Sequence, residues 1–274
     1  AMDGVAKSGS CLMRIDYIEV QDSGTAESTF VEAYWTKVWE QEGGPRGRID
    51  KVSRQDELRV MRDYLGAIPK GRLLDAGCGL GDWVLFFERE GFEVTGLDIS
   101  RKTVNQLCER FPDSDFQTGD IRDTGMAGDT FDACFSWGVF EHFEDGPGDC
   151  LREAFRILKP GGLLFASVPF DNWRMSTKST FAKPADATLK ERFYQYRFTR
   201  AEWAREMSQV GFEVEALKPI HKRQGVLRCL HHEFFLPYEW LLTRGLSAVM
   251  APFIPGAWIA HMLMGVARKP LNDA

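Results

Sequence analysis

The stretch Leu73-Leu74-Asp75-Ala76-Gly77-Cys78-Gly79-Leu80-Gly81-Asp82 confines this chain to few architectures. A short apolar run breaks into closely spaced glycines, and apolar residues resume at helical spacing in Trp83-Val84-Leu85-Phe86-Phe87. Strand, tight turn and helix in that order open a nucleotide-binding α/β unit, whose turn presents backbone amides to a ligand. A dinucleotide turn needs glycines spaced G-x-G-x-x-G, the third for close helix-strand packing. Here they run G-x-G-x-G, and Asp82 takes the third dinucleotide position. A carboxylate there repels a pyrophosphate unless it points away.

The continuation narrows the choice. Phe92-Glu93-Val94-Thr95-Gly96-Leu97-Asp98 reads as a second strand ending in an acid, placed about 20 residues past the turn to bind ribose hydroxyls. Both nucleotide classes share that feature. Ser100 then reads as a helix N-cap, and Phe116-Gln117-Thr118-Gly119-Asp120-Ile121 as a third strand with its acidic end. Phe131-Asp132-Ala133-Cys134-Phe135-Ser136-Trp137-Gly138 reads as a fourth strand, and Leu158 to Pro169 as helix end, glycine turn and fifth strand.

In this order the segments resemble the motifs of class I S-adenosylmethionine-dependent methyltransferases, over roughly residues 55 to 220, most closely the type-11, ubiquinone-methyltransferase-like branch. The resemblance implies an α/β fold: a doubly wound, Rossmann-like seven-stranded sheet, mostly parallel with an antiparallel last strand, carrying helical cover insertions. It implies S-adenosyl-L-methionine as cofactor and S-adenosyl-L-homocysteine as product. Asp75, Gly77, Cys78, Gly79 and Gly81 would cradle the amino-acid half, Asp98 and Ile99 the ribose, and Asp120 and Ile121 the adenine. Ser136 and Trp137 would open the loop that faces the methyl group. Such a cofactor carries an ammonium and a sulfonium, so nearby carboxylates attract it.

On the acceptor side, methyl transfer from a sulfonium is an in-line substitution in which positioning supplies much of the rate. A base is needed only where the nucleophile must lose a proton. His142 is the preferred base, because imidazole titrates near working pH, and Glu141 competes with it. In the resembled branch this histidine often only shapes the pocket. His221, His231 and His232 are further candidates. An Asp-Pro-Pro-Tyr or Asn-Pro-Pro-Tyr run, the family's mark of planar nitrogen acceptors, does not follow the fourth strand. What remains is an oxygen, nitrogen or carbon nucleophile on a small metabolite, sugar or lipid-linked precursor. Trp35, Phe140, Trp173, Arg174, Tyr194, Tyr196 and Arg197 are the expected substrate contacts.

One methyltransferase domain, 29–274, accounts for most of the 274 residues. Residues 1–28 are expected to be poorly ordered outside an apolar stretch at 12–20. A helical lid is expected at 29–52, where Tyr34, Trp35 and Trp39 share a face, and cover insertions at 170–198 and 221–257. A net charge of −6 argues against nucleic acid as a partner. The six cysteines lack metal-ligand spacing, so no metal is expected and a reducing cytoplasm is inferred. Gly245 to Ala267 holds no charged residue, yet Pro252, Pro255 and Gly256 oppose a transmembrane span. Peripheral membrane contact stays open, as do a monomer and a homodimer. The alternatives in function are an NAD(P)-dependent oxidoreductase and a non-catalytic protein that binds the sulfonium cofactor.

Overall fold

The computed structural model describes residues 13–20, 25–66, 70–178 and 190–271. β1 (Arg14–Val20), α1 (Glu27–Gln41), α2 (Ile49–Val52) and α3 (Asp56–Leu65) lead into the alternating core. That core comprises β2 (Arg72–Ala76), α4 (Asp82–Arg89), β3 (Glu93–Asp98), α5 (Arg101–Arg110), β4 (Asp115–Thr118), β5 (Phe131–Trp137), α6 (Gly148–Ile157) and β6 (Leu158–Pro169). α7 (Trp173–Lys178), β7 (Lys190–Arg197), α8 (Arg200–Val210) and β8 (Glu213–Ile220) follow. The chain then forms α9 (Lys222–Phe234), α10 (Leu241–Met250), α11 (Gly256–Ile259) and β9 (Met262–Arg268).

Seven strands make one sheet in the order β4-β3-β2-β5-β6-β9-β8. β2 to β6 are parallel, and β9 runs antiparallel to both β6 and β8. This is the expected doubly wound sheet with its antiparallel last strand. Both faces are covered, which explains the nearly continuous apolar runs in its central strands. Leu74, Cys134 and Leu164 pack on one face, and their neighbours Leu73, Ala133, Phe135, Leu163 and Phe165 on the other. Strand order reverses between β2 and β5, so their carboxyl ends open a crevice where such sheets bind ligands.

The helix ends follow local chemistry. Ser100 Oγ accepts the Thr103 N–H at the start of α5. Thr199 and Glu202 form a reciprocal capping box on α8, which Gly211 ends at φ 108°.

A ribbon stands apart from the sheet: β1 pairs antiparallel with β7. The apolar stretch inside the otherwise unstructured 1–28 expectation thus finds its partner in the 170–198 insertion. Asp16 fixes the ribbon by accepting from Gln195 Nε2 and pairing with Arg197 Nη2, each at 2.7 Å. The expectations for 1–12, 21–24 and 179–189 lie outside the described residues.

α1 lies across the crevice and is held at several points along its length. Glu27 accepts from Arg122 Nη1 and from the Glu144 N–H at 2.7 Å, Thr36 Oγ1 bonds Ser100 Oγ at 2.6 Å, and Glu40 pairs with Lys102. At the other end of the sheet α9 to α11 enclose a small core of Val226, Leu230, Ala251 and Ile259. They leave Phe235, Leu241 and Phe253 exposed. Among the described residues no helix is long and apolar enough to cross a membrane.

Candidate active site

The glycine turn is shaped by backbone demands. Gly77, Gly79 and Gly81 sit at φ 90°, 51° and 76°, a region costly for residues with a Cβ. At Gly77 a Cβ would also stand 2.4 Å from Val139 Cγ2. The Gly77 and Cys78 N–H groups donate to the Leu97 carbonyl at 2.7 and 2.9 Å, locking the turn to β3. Asp98, buried at the end of β3, accepts the Gly79 N–H at 2.9 Å and the Ser100 N–H at 2.8 Å, one on each oxygen. Burial raises its pKa, and these bonds to the charged form oppose the rise. Each oxygen retains acceptor capacity for a ligand hydroxyl.

Asp75 differs. It is 1% exposed, and neither carboxylate oxygen has a hydrogen-bond partner among the described residues. Burial first, and the nearby Asp98 charge second, push its pKa well above the usual carboxylate range. Native proteins rarely leave a buried carboxyl unpaired without a reason, since each such group costs about 1–3 kcal/mol or more. A cationic ligand group at the turn would supply the missing partner.

Beside the turn opens a cavity of about 590 Å³. Asp98, Ile99, Asp120, Ile121 and Trp137 line it from the strand ends. Val31, Trp35 and Trp39 of α1 cover it, and Gly138, Val139, His142 and Phe143 form the remaining wall. The 4-residue steps between Val31, Trp35 and Trp39 place them on one helix face.

Several expected contacts are relocated. Ser136 does not reach the cavity: its buried hydroxyl donates to the Ala76 carbonyl at 2.7 Å and ties β5 to β2. Cys78 packs in the core with Trp83 and Phe116, while Gly79 and Gly81 act through backbone shape from outside the lining. Asp120 lines the cavity, but its carboxylate already grips Arg122, with Nη2 at 2.7 Å and Nε at 3.1 Å. Asp82 points away from the cavity, accepting the Arg48 N–H at 2.7 Å. Its charge therefore does not by itself exclude a pyrophosphate.

His142 sits on a one-turn 3₁₀ segment, Phe140–His142, directly after β5. Its Nδ1 donates to the Tyr194 carbonyl oxygen at 2.7 Å, and Trp35 and Tyr194 pack on its ring at centroid distances of 5.1 and 4.9 Å. Burial lowers its pKa to about 4, against the raising effect of the Tyr194 and Gly138 carbonyls, so the ring is neutral at pH 7. Glu141 is buried outside the cavity lining, with Oε1 3.8 Å from His142 Nε2. Burial pushes its pKa up to about 8, only partly opposed by the Arg197 charge. At pH 7 that shift favours its protonated form, which makes it the weaker candidate base.

Among the expected substrate contacts only Trp35 lines the cavity. Phe140 is core, and Tyr196 is buried with its hydroxyl donating to the Glu144 carbonyl at 2.6 Å. Trp173 is 63% exposed and packs on Trp258. Tyr194 backs His142, whereas Arg174 and Arg197 line a different cavity. Of the other histidines, His221 pairs with Glu57 at 2.9 Å, and His231 and His232 lie against Tyr238.

Residues 53–217 match the family described as a methyltransferase domain. The chain belongs to that family. Over 143 residues it is 29% identical to a protein of Mycolicibacterium smegmatis named as a probable S-adenosylmethionine-dependent methyltransferase, covering 52% of each chain. Over 107 residues it is 36% identical to a demethylmenaquinone methyltransferase of Renibacterium salmoninarum, covering 39% of this chain and 44% of that one. The chain thus spans about half the length of the curated relatives it matches, or less. The fold is shared with a Burkholderia thailandensis 1,6-didemethyltoxoflavin-N1-methyltransferase solved with S-adenosylhomocysteine. The TM-score is 0.53 at 18% identity, with 96% of this chain and 98% of that chain covered.

The cofactor of this methyltransferase domain is S-adenosylmethionine, and the residues fit it. Asp75 offers an unpaired buried carboxylate to a cationic amino group, Asp98 outward lone pairs to ribose hydroxyls, and Ile99, Ile121 and Trp137 apolar walls to a base. Val139 and Phe143 were not singled out by the sequence as individual site residues, though they fall in the loop expected to face the methyl group. Their only signal is position after β5.

Proposed function

We propose that the chain transfers the methyl group of S-adenosylmethionine to an oxygen, nitrogen or carbon nucleophile of a small molecule. The observation that carries this reading is the crevice lined by Asp98 and His142 under the α1 aromatics, beside a glycine turn whose buried Asp75 has both oxygens unpaired among the described residues. The bound cofactor supplies an electrophilic methyl on a positively charged leaving group.

What the chain itself contributes is placement and exclusion of water. Asp98 in the lining fixes the ligand's hydroxyls, Asp75 behind the glycine turn offers its unpaired carboxyl, and the α1 aromatics cover the ligand. His142 is neutral with Nδ1–H committed to Tyr194, which leaves Nε2, near Glu141, as the ring's one basic nitrogen for the nucleophile's proton. Such a base is weak, so it suits a proton that leaves as the new bond forms. Apolar walls and the cover of α1 favour a compact acceptor over a polymer.

Calorimetric titration with S-adenosylmethionine, S-adenosylhomocysteine and NAD, on the wild type and Asp98→Ala, tests the cofactor half. Micromolar binding of both sulfur nucleotides, lost in Asp98→Ala and absent for NAD, is expected. Transfer of label from methyl-labelled cofactor to a panel of small acceptors tests the other half. Binding without turnover on any acceptor would instead favour the non-catalytic reading.

A further inference from the structure

A second cavity, of about 420 Å³, lies past the carboxyl end of β6 between Phe170, α7, α9 and residues 259–261. Arg174, Arg197, Arg228, His232 and His261 line it, and no acidic residue lines it among the described residues. In a chain of net charge −6 this is a concentration of cations against the general balance.

The guanidinium groups are built in. Arg174 is held by Glu233 at 2.8 Å and Arg197 by Asp16 at 2.7 Å, both from outside the lining. Those ion pairs fix orientation without filling the cavity. Arg197 is only 6% exposed, yet its Nε is buried without a hydrogen-bond partner. Arg228 makes no ion pair among the described residues. Its approach depends on Gly225, one helical turn earlier, where a Cβ would fall 1.7 Å from the Ile259 carbonyl oxygen. The absent side chain lets α9 pack directly on 259–261. Asn172 fixes the opposite rim, donating to the Ala260 carbonyl at 2.7 Å and accepting the Met175 N–H at 3.0 Å.

These charges converge. His261 is driven down to about 3 by burial, and then by Arg228, Arg197, His221 and Arg174 acting together, so it stays neutral at pH 7. With Arg174 and Arg197 each held by a carboxylate, Arg228 and the unpartnered Arg197 Nε are the donors left for an anion in the cavity. Several planar N–H forks around a point match the oxygens of a phosphate better than the two of a carboxylate.

β7 runs from this cavity to the residue that holds His142. Arg197 is three residues from Tyr194, whose carbonyl holds His142, and its charge reaches Glu141. We infer that this cavity seats a phosphate group of the methyl acceptor. The acceptor is thereby a phosphorylated small molecule or the phosphate-bearing end of a lipid-linked one. Its role as acceptor rests on the methyl-transfer reading; the phosphate seat does not.

The test is calorimetry of the full chain with inorganic pyrophosphate at fixed ionic strength, on the wild type, Arg228→Gln and Arg223→Gln. Arg223 lies on the same helix outside the cavity and controls for diffuse charge. Arg228→Gln is expected to weaken pyrophosphate at least tenfold, Arg223→Gln less than about twofold. No wild-type binding below about 10 mM, or equal weakening by both substitutions, overturns the seat. S-adenosylhomocysteine titrated into the same samples reads the other site: its failure to bind sinks the methyl-transfer reading and leaves the phosphate result standing. Displacement of pyrophosphate by glucose 1-phosphate assigns a free acceptor. Displacement by phosphatidylcholine vesicles containing phosphatidic acid assigns a lipid-borne one. Displacement by neither overturns the acceptor role.

Discussion

His142 Nδ1 lies 2.7 Å from the main-chain carbonyl oxygen of Tyr194. A carbonyl only accepts, so this contact fixes the tautomer: the proton is on Nδ1, and the lone pair is on Nε2. The bond joins the loop after β5 to a ribbon that the fold adds outside its sheet. The additional ribbon thus orients a ring that the shared core only positions. His142→Gln is expected to lower kcat by about 10²-fold or more while S-adenosylhomocysteine affinity changes less than about twofold. Steady-state rates alongside calorimetry check this; an equal loss in both would mean that the ring only shapes the pocket.

Asp75 gives a prediction in which stability and binding move in opposite directions. Its buried, unpaired carboxyl costs the ligand-free protein stability and meets a partner only with a cationic ligand. Asp75→Asn should raise the Tm of the free protein and weaken S-adenosylmethionine about tenfold or more. Because burial and Asp98 raise the wild-type carboxyl's pKa, a cationic ligand that favours its charged form should release protons on binding. Titrations in buffers of different ionisation enthalpy measure that release, and Asp75→Asn should abolish it.

Much of the core was legible because its signals are local. The glycine turn needs positive φ at Gly77, Gly79 and Gly81, and that need is written in residue type. Ser100 and the Thr199–Glu202 pair cap helices within a few residues of themselves. What was not legible depends on partners distant in sequence. Asp82 looks like a charge in the turn until Arg48, 34 residues earlier, draws it aside. Ser136 looks like a cofactor contact until strand register sets its hydroxyl against Ala76. Aromatic character near the site did not separate Trp35, which lines it, from Phe140 and Tyr196, which are core. The pairing of β1 with β7 joins segments about as far apart as two-thirds of the chain, beyond any local pattern.

α1 is held over the cavity by polar anchors at its ends. Glu27 receives both Arg122 Nη1 and the Glu144 N–H, and Arg122 in turn holds Asp120 in the cavity wall. Glu27→Ala removes the first link of that chain at a half-exposed position. We expect the KM for S-adenosylmethionine to rise several-fold, with a stability loss of only about 1 kcal/mol. Stopped-flow tryptophan fluorescence, reading Trp35 and Trp39 over the cavity, should show faster product-analogue release. Unchanged release would show that α1 is a fixed wall.

The pH dependence of stability separates Glu141 from its neighbour His142, because their shifts have opposite signs. Glu141 has a folded pKa of about 8 against 4.5 unfolded, so between those values the unfolded chain carries fewer protons and stability falls as pH rises. His142 has a folded pKa of about 4 against 6.5, so in that window the unfolded chain binds the extra proton and stability falls as pH drops. Each slope is at most about 1.4 kcal/mol per pH unit. Glu141→Gln removes only the alkaline loss. Its Tm should match or exceed wild type from pH 5 upward, with the gap widening to pH 8, while the acid loss below pH 6.5 remains. Thermal melts of the two proteins across pH 4 to 9 measure both limbs. A gap that stays constant with pH would mean that Glu141 is ionised in the folded protein and paired through Arg197.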